Sequence, residues 1–400
     1  MVLDKAFFHG NRLRLADDLK GGILVLTAYD VLQSSADMTH EFDYEANFFY
    51  ISGLQKARWR LVYDSARDYL YLVRPDLSEV ERVFNGYLDD KAAIAVSGAD
   101  KVISSDEFEP LLKQLARQHD LVYALQPENS DASVVLNPAV KRLWRQLERV
   151  FHSISDVRLA LARQRAIKQP QEIAMLKSAA ALSIAAFQDI KQNLQGYHYE
   201  YEVEADFTAI FRRKNARHAY QPIIASGANA VTLHYIENSA KLAKNNLVLL
   251  DVGANVNAYA SDITRTYAFG RATKRQTEVH AAVVQAQADI IELLRPGLTF
   301  REYQTSVDRI MYFALKSIGL AGSNEIETVR KYMPHAVSHG LGIDTHDSLG
   351  RVSELRPGMV LTVEPGIYIS KENIGVRIED DILVTDTGHQ NLTAKLSTSL

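Results

Sequence analysis

The chain contains no cysteine among its 400 residues. Disulfide bonds and thiolate metal sites are therefore excluded, and any metal ion must be bound by oxygen atoms and imidazole nitrogens. Manganese suits that ligand chemistry, and zinc or cobalt can also bind to it. No stretch approaches the about 18 consecutive apolar residues of a membrane-spanning helix, and the amino-terminal segment lacks the apolar core of a signal peptide. We therefore expect a cytoplasmic protein that does not enter a membrane.

The chain also lacks an excess of one charge sign. Its 45 Lys and Arg residues against 49 Asp and Glu residues give a net charge of −4, and both signs are interspersed along the sequence. This pattern excludes the basic surface by which proteins bind nucleic acids or anionic lipids. The apolar fraction of 47% is typical of a globular protein, and the length predicts two domains with separate cores.

The first predicted domain spans residues 1–157 and has an α/β pattern. Runs of strand length predict a central mixed sheet, and they read GGILVLTAY, NFFYISGL, RWRLVYDS and DYLYLVRPD. Helical periodicity follows in DEFEPLLKQLARQ and NPAVKRLWRQLERV. His40, Asp43 and Glu45 precede the NFFYISGL run, but one histidine beside two acids is typical of a solvated turn. We assign no catalytic residue to this domain.

The second predicted domain, residues 158–400, repeats one order of elements. Pro170 suits the first turn of a helix, and the order helix, helix, strand, strand follows up to Gly270. The same order begins again at TEVHAAVVQAQADIIELL and ends with VRIEDDILVT. Two such halves would face each other across a pseudo-twofold axis. The predicted fold class is therefore α/β (α+β), with two domains of which the second has two similar halves.

Each half ends in a predicted β-hairpin that offers two carboxylates. LVLLDVGANVNAYASDITRTYAF contains Asp251 and Asp262, and MVLTVEPGIYISKENIGVRIEDDILVT contains Glu364 and Glu379. Any one of these acids alone is most simply a turn or strand-end residue. Four acids at corresponding places predict a shared metal site, because converging carboxylates repel one another unless a cation is bound. Two metal ions that share carboxylates supply a nucleophile at neutral pH.

The segment between the hairpins, HAVSHGLGIDTHD, contains His335, His339 and His346. The first two have the spacing of the helical HExxH zinc site, but Ala336 stands where that motif has glutamate. The glycines that follow also favour a loop, so a helical zinc site is rejected. His234, in VTLHYIEN, is a further candidate, and for it a structural role in a loop and a functional role are equally supported.

As a set, six motifs resemble the proline-specific metallopeptidases of the pita-bread fold, which are aminopeptidase P and the Xaa-Pro dipeptidases (prolidases). They are LHYIEN, LLDVGA, YASDITRTY, HAVSHGLGIDTHD, RPGMVLTVEPGIYI and VRIEDDILVTDTG. The resemblance implies two metal ions, usually manganese, bound by Asp251, Asp262, His339, Glu364 and Glu379. It implies catalytic or substrate-binding roles for His234, His335, His346, Arg377 and Tyr368. The first domain resembles the extra domain of these enzymes.

The resemblance also implies a reaction, a partner and an assembly. The reaction is attack of a metal-activated water on the carbonyl before proline, in which Glu364 accepts the proton of the water. The metals and His346 would stabilise the oxyanion. The partner is a small peptide with proline at its second position, and the assembly is a homodimer.

Two alternatives within the family differ in one physical requirement. A dipeptidase must neutralise the free carboxylate of proline, whereas aminopeptidase P must leave that end of the peptide open. Arg351 and Arg377 are candidates for binding the carboxylate, since arginine forms bidentate pairs with it. From the chain length and the short connection between Glu364 and Glu379 we expect a dipeptidase, with aminopeptidase P as the alternative.

Three other hypotheses about the function are less well supported by the sequence. Creatinase lacks these metal ligands, and methionine aminopeptidase ordinarily lacks such a first domain. A non-catalytic binding module that has lost its metal is the alternative from another class of protein. All five implied ligands are present here, which argues against it.

Overall fold

The computed structural model describes residues 3–128 and 135–400. The chain divides into two compact units, Met1–Gln164 and Arg165–Leu400. The predicted boundary after residue 157 lies at the start of the helix Arg158–Ala166, and the observed division falls within that helix. The predicted and observed limits therefore differ by less than one helix.

A mixed β-sheet forms the centre of the amino-terminal unit. Its strands are β1 (Ile23–Thr27), β4 (Arg60–Asp64), β5 (Tyr69–Val73), β6 (Lys101–Ile103), β7 (Leu121–Ala124) and β8 (Ser153–Asp156), and a separate hairpin contains β2 (Gln33–Ser35) and β3 (Met38–Thr39). The strand order is β6-β5-β4-β1-β7-β8. β4 runs antiparallel to its neighbours β1 and β5, whereas the other neighbouring pairs are parallel. The predicted mixed sheet is therefore present.

The helices of this unit are α1 (Lys5–Leu19), α2 (Ala46–Ser52), α3 (Glu79–Asn85), α4 (Asp90–Ser97), α5 (Ser105–Ala116), α6 (Pro138–Leu147) and α7 (Arg158–Ala166). The prediction of a strand at NFFYISGL was wrong, because this run forms α2. Glu45 caps the helix by accepting a hydrogen bond from the Phe48 amide at 2.6 Å, and Gly53 ends it at a φ of 75°. A short apolar run that is buried nearly all round carries no period that separates helix from strand.

The second unit repeats the predicted order of elements. Its helices are α8 (Pro170–Asn193), α9 (Glu200–Arg213), α10 (Lys274–Ile291), α11 (Phe300–Ser317) and α12 (Glu325–Tyr332). Strands follow each pair of long helices: β9 (Arg217–His218), β10 (Ile223–Ser226), β11 (Asn246–Asp251), β12 (Ala254–Val256), β13 (Tyr259–Ala260) and β14 (Thr264–Phe269), then β15 (Val360–Val363), β16 (Gly366–Ile369), β17 (Ile374–Arg377), β18 (Asp380–Val384) and β19 (His389–Asn391). Pro170 begins α8 as predicted.

Three of the acids in the predicted hairpins lie at interruptions between strands. Asp262 lies between β13 and β14, Glu364 between β15 and β16, and Glu379 between β17 and β18. At the second and third interruptions the chain passes from one sheet to another, since β15 pairs with β18 whereas β16 pairs with β17. These three acids therefore lie between strands, where the backbone can turn and direct their side chains toward a common point.

The helices of each half bury their apolar faces against the strands of that half. In the first half Phe187 of α8 packs against Phe207 of α9, with ring centroids 5.0 Å apart, and both join a cluster with residues of β11 and β14. α8 is long and apolar enough to span a bilayer by length and composition, but half of its most apolar window is buried within the protein. Packing in the core accounts for the composition of this helix.

Candidate active site

The candidate active site is a cavity of about 740 Å³ in the second unit. All of the predicted metal ligands line it, and so do His234, His335, His346 and Arg377. Tyr368 lies behind this lining and contacts His335, with ring centroids 5.5 Å apart. The structure therefore brings together residues from both halves and from the segment between them.

One group of residues in the cavity that could hold a metal ion consists of Asp262, His339 and Glu379. One potential ligand atom of each lies within 4.8 Å of the others. His339 Nε2 is 3.5 Å from Asp262 Oδ2 and 3.3 Å from Oε1 of Glu364. Oxygen ligands from three acids thus gather around one imidazole.

The hydrogen bonding of His339 tests whether this group fits a metal ion. Its Nδ1 lies 3.0 Å from the carbonyl oxygen of Gly340, which can only accept, so Nδ1 carries the ring hydrogen. Nε2 therefore presents a lone pair to the oxygens of Asp262 and Glu364. Burial lowers the pKa of His339 to about 4, so the ring is neutral at pH 7. An imidazole lone pair and carboxylate oxygens that converge in this way are the donor set of a divalent cation.

Burial also changes the acid strength of the carboxylates. It raises the pKa of Asp262 and of Glu379 well above the usual range, and neighbouring carboxylates raise both further. The pKa of Glu364 rises to about 7, chiefly because of burial. Among the described residues that line the cavity, four carboxylates and the guanidinium of Arg377 leave three negative charges uncompensated when all are ionised. A cation would remove that cost.

A chain of hydrogen bonds holds Asp251 and His335 in place. Arg377 is 4% exposed and donates to Asp251 through Nη2 and, at 2.8 Å, to the Tyr368 hydroxyl through Nη1. His335 Nδ1 donates to the carbonyl of Ala336 at 2.7 Å, so its Nε2 accepts the Tyr368 hydroxyl hydrogen at 2.9 Å. Both ring nitrogens of His335 are therefore engaged by the protein itself.

His234 and His346 stand at the exposed mouth of the cavity. His346 lies against His339, with ring centroids 4.2 Å apart, and burial lowers the pKa of His346. Within residues 3–128 and 135–400, neither His234 nor His346 forms a hydrogen bond through its ring. Their nitrogens are available to a molecule in the cavity, unlike those of His335.

Comparison with known proteins agrees with this geometry. A family model described as "Metallopeptidase family M24" matches residues 174–386, which include every residue of the cavity described above. The chain belongs to metallopeptidase family M24. A second model, "Aminopeptidase P, N-terminal domain", matches residues 8–123 of this M24 peptidase chain.

The similarity to individual relatives covers nearly the whole chain. The Xaa-Pro aminopeptidase of Escherichia coli K12 is 33% identical over 418 residues, covering 97% of this chain and 94% of the relative. Aminopeptidase P from E. coli with the inhibitor Pro-Leu has a TM-score of 0.87 at 29% identity, covering 98% of this chain and 95% of that one. Zn-substituted E. coli aminopeptidase P in complex with product gives 0.86 at 30% identity, with coverages of 98% and 96%. The predicted family and fold are confirmed, whereas the expected dipeptidase activity is not.

Three hydroxyl groups of the M24 site were missed in the sequence. Thr264 donates to Glu379 at 2.6 Å, Thr362 donates to Glu364 at 3.3 Å, and Tyr220 donates to Asp251 at 2.6 Å. Each threonine stands two residues from a predicted ligand, and strand alternation could have placed it on the same face. Tyr220 lies far from Asp251 in sequence, so no local pattern marks it.

Arg351 is not brought to the M24 site. It is exposed, has a φ of 50°, and stands outside the described lining of the cavity. Arg377 is the one arginine or lysine of that lining, and its guanidinium is already bound to Asp251 and Tyr368. The described lining therefore offers no uncommitted arginine or lysine for the free carboxylate of a dipeptide.

Glu200 fixes the loop that carries His234. It begins α9, is fully buried, and its carboxylate accepts five hydrogen bonds shorter than 3.2 Å from the Ser226 amide and hydroxyl, the Asn229 side chain, the Tyr235 hydroxyl and the Ala240 amide. These donors lie on both sides of His234 in the sequence. A single buried carboxylate thus ties both ends of the loop to α9.

We expect Glu200→Gln to loosen this loop. The amide group of glutamine would face donors where a carboxylate oxygen now accepts, and each buried donor left unpaired costs about 1–3 kcal/mol. Hydrogen exchange of residues 226–240 should become faster, and the catalytic efficiency should fall. Asp206→Asn, which changes an exposed carboxylate of the same helix, is the matched control. Unchanged exchange in Glu200→Gln would contradict the role given to this carboxylate.

The raised carboxylate pKa values predict how pH affects stability without metal. Because the folded pKa of Glu364 is about 7 and its ordinary value is 4.5, the stability it contributes is present below pH 4.5 and is lost as the pH rises through 7. Bound metal would replace the proton as counter-charge. The melting temperature of manganese-loaded protein minus that of chelated protein should therefore increase across this range. A difference that stays constant with pH would count against the metal site.

Proposed function

We propose that this M24 peptidase is an Xaa-Pro aminopeptidase, which removes the first residue of a peptide whose second residue is proline. The observation that carries the proposal is the convergence of Asp251, Asp262, His339, Glu364 and Glu379 in one cavity. The named relatives that match nearly the whole chain are Xaa-Pro aminopeptidases, and the first unit matches the aminopeptidase P amino-terminal domain. This replaces the dipeptidase expected from the chain length.

The donor set fits two divalent ions better than one. The cavity lining carries three uncompensated negative charges, so one divalent ion would leave it negative and two would leave a single positive charge. Asp251, Asp262, His339, Glu364 and Glu379 would hold these ions. Oxygen and imidazole donors suit manganese, with zinc or cobalt as alternatives.

When bound, the metal ions activate water and polarise the scissile carbonyl. Side chains of the protein would transfer protons, bind the substrate and position the catalytic groups. Glu364 would accept a proton from the attacking water and release it to the departing nitrogen. His234 and His346, whose ring nitrogens face the cavity mouth, would bind the substrate and stabilise the oxyanion. Arg377 and Tyr368 hold Asp251 and His335 in position.

The absence of an uncommitted carboxylate partner in the described lining supports the aminopeptidase over the dipeptidase. An Xaa-Pro dipeptide would bring a free carboxylate next to the acids, and the described lining has no uncommitted arginine or lysine to receive it. A longer peptide brings a neutral amide to the same place. The inhibitor named for the E. coli enzyme, Pro-Leu, likewise has a residue after its proline. Location in the cytoplasm and assembly as a homodimer stay predictions from the sequence.

The substrate preference can be measured with matched peptides. After addition of manganese, an Xaa-Pro-Xaa tripeptide should be hydrolysed with a much higher kcat/KM than the Xaa-Pro dipeptide of the same first residue. Replacing proline by alanine in the tripeptide is the control for specificity. A preference for the dipeptide would support the prolidase hypothesis instead. Hydrolysis of neither peptide would favour the hypothesis of a non-catalytic binding module.

The two central acids can be tested directly for metal binding. Asp262→Asn and Glu379→Gln keep the shape of the side chain but remove its charge, so we expect lost metal content and lost activity with an intact fold. Metal analysis after gel filtration and circular dichroism would measure both. Asp206→Asn, which changes an exposed carboxylate bound to Tyr197, is the control. Near-normal turnover by either central variant would mean that the metal site is misassigned.

A further inference from the structure

A second cavity lies within the amino-terminal unit and belongs to no site described so far. Its volume is about 140 Å³, and its lining is mostly polar, with arginines at positions 58, 60 and 142. The carboxylates of the lining are Asp30 and Asp76. A space of this size limits an occupant to a small group.

The cavity lies at one edge of the mixed sheet. Thr27 ends β1, Asp76 follows β5, and Ser105 follows β6 and begins α5. β1 and β5 are both antiparallel to β4, and β6 is parallel to β5, so the carboxyl ends of three parallel strands meet at this edge. In open α/β sheets this is the edge at which ligands bind.

The reversed strand β4 places an arginine at the centre of this edge. Arg60 is the first residue of β4, where it pairs with Thr27 on one side and Val73 on the other. Its neighbours in the cavity have partners: Arg58 lies 3.3 Å from Glu81, and Arg142 forms an ion pair with Asp30. In the part of the chain that the structure describes, the guanidinium of Arg60 has neither an ion pair nor a hydrogen bond.

The charge of Arg60 is therefore only partly compensated. Its guanidinium lies over the ring of Phe108, 5.0 Å from the centroid. Burial lowers the pKa of Arg60, and the nearby positive charge of Arg142 lowers it further. A partly buried cation without a polar partner is costly, and an anion between the two arginines would remove both unfavourable effects.

We propose that this cavity binds a phosphate-type oxyanion, with Arg60 as its principal partner and Arg142 as the second. A tetrahedral anion offers several acceptor oxygens to the fork of donors that a guanidinium presents. The amino-terminal end of α5 adds the positive end of its helix dipole. Inorganic phosphate and the phosphoryl group of a small phosphate ester share this chemistry.

The test is isothermal titration calorimetry of the full chain with inorganic phosphate, in a buffer free of other polyvalent anions. Arg60→Gln should weaken binding about tenfold or more, because a charged hydrogen-bonding partner is lost. The matched control is Arg67→Gln, which removes the same charge from the same unit, where Arg67 is exposed and lies 3.5 Å from Asp64. Phosphate bound at the peptidase site would appear equally in all of these proteins.

A second variant covers the case in which Arg60→Gln does not fold. Arg142→Gln changes an exposed side chain and leaves the Asp30 carboxylate unpaired, so it should weaken phosphate binding at least as much. Both variants should keep peptidase activity. Glycerol phosphate that competes with phosphate would identify a phosphate ester as the ligand, and failure to compete would identify the free ion.

Several results would overturn the proposal. They are the absence of phosphate binding by the unaltered protein in the millimolar range, an equal loss of affinity in Arg67→Gln, and acetate binding as tightly as phosphate. The last result would replace the phosphate-type ligand by a carboxylate. None of these outcomes depends on the peptidase function proposed above.

Discussion

Four carboxylates held together in one largely buried cluster are the constraint on which the second unit is built. Without a cation, burial raises the pKa values of Asp262 and Glu379, and the repulsion among the carboxylates raises them further. Hydroxyl groups and the guanidinium of Arg377 donate hydrogen bonds to these carboxylates. Deeper still, Arg265 is fully buried, forms an ion pair with Asp380 at 2.7 Å and donates to the carbonyl oxygen of Glu379 at 2.6 Å. The backbone at Glu379 is therefore fixed before any ligand binds.

Much of this site could be predicted from the sequence, because its residues stand in short motifs with distinctive spacing. The four acids and the four histidines at positions 234, 335, 339 and 346 all line one cavity. The repeated order of elements explains why two hairpins that are distant in sequence meet there. Tyr220 and Glu200 could not be found in this way. Each acts on a residue far from it in sequence, and only the folded chain shows that a buried donor or acceptor has its partner there.

The amino-terminal unit shows a different limit. Hydrophobic runs predicted its strands correctly where one face or the ends were polar, but failed at α2, which is buried nearly all round. The location of Arg60 at the edge of the sheet could also not be predicted from the sequence, since a single arginine at the start of a strand is common. What distinguishes it is the reversed direction of β4, a property of the sheet that local composition does not encode.

The interruptions at Glu364 and Glu379 also separate these two acids from the hairpin that connects them. Val363 pairs with Asp380, and Gly366 with Arg377, so strand pairing closes the chain on both sides of the two acids. The hairpin beyond them, from β16 through the turn at Ser370–Glu372 to β17, can change in length without moving either acid. This turn can thus gain or lose residues in evolution while both acids keep their positions.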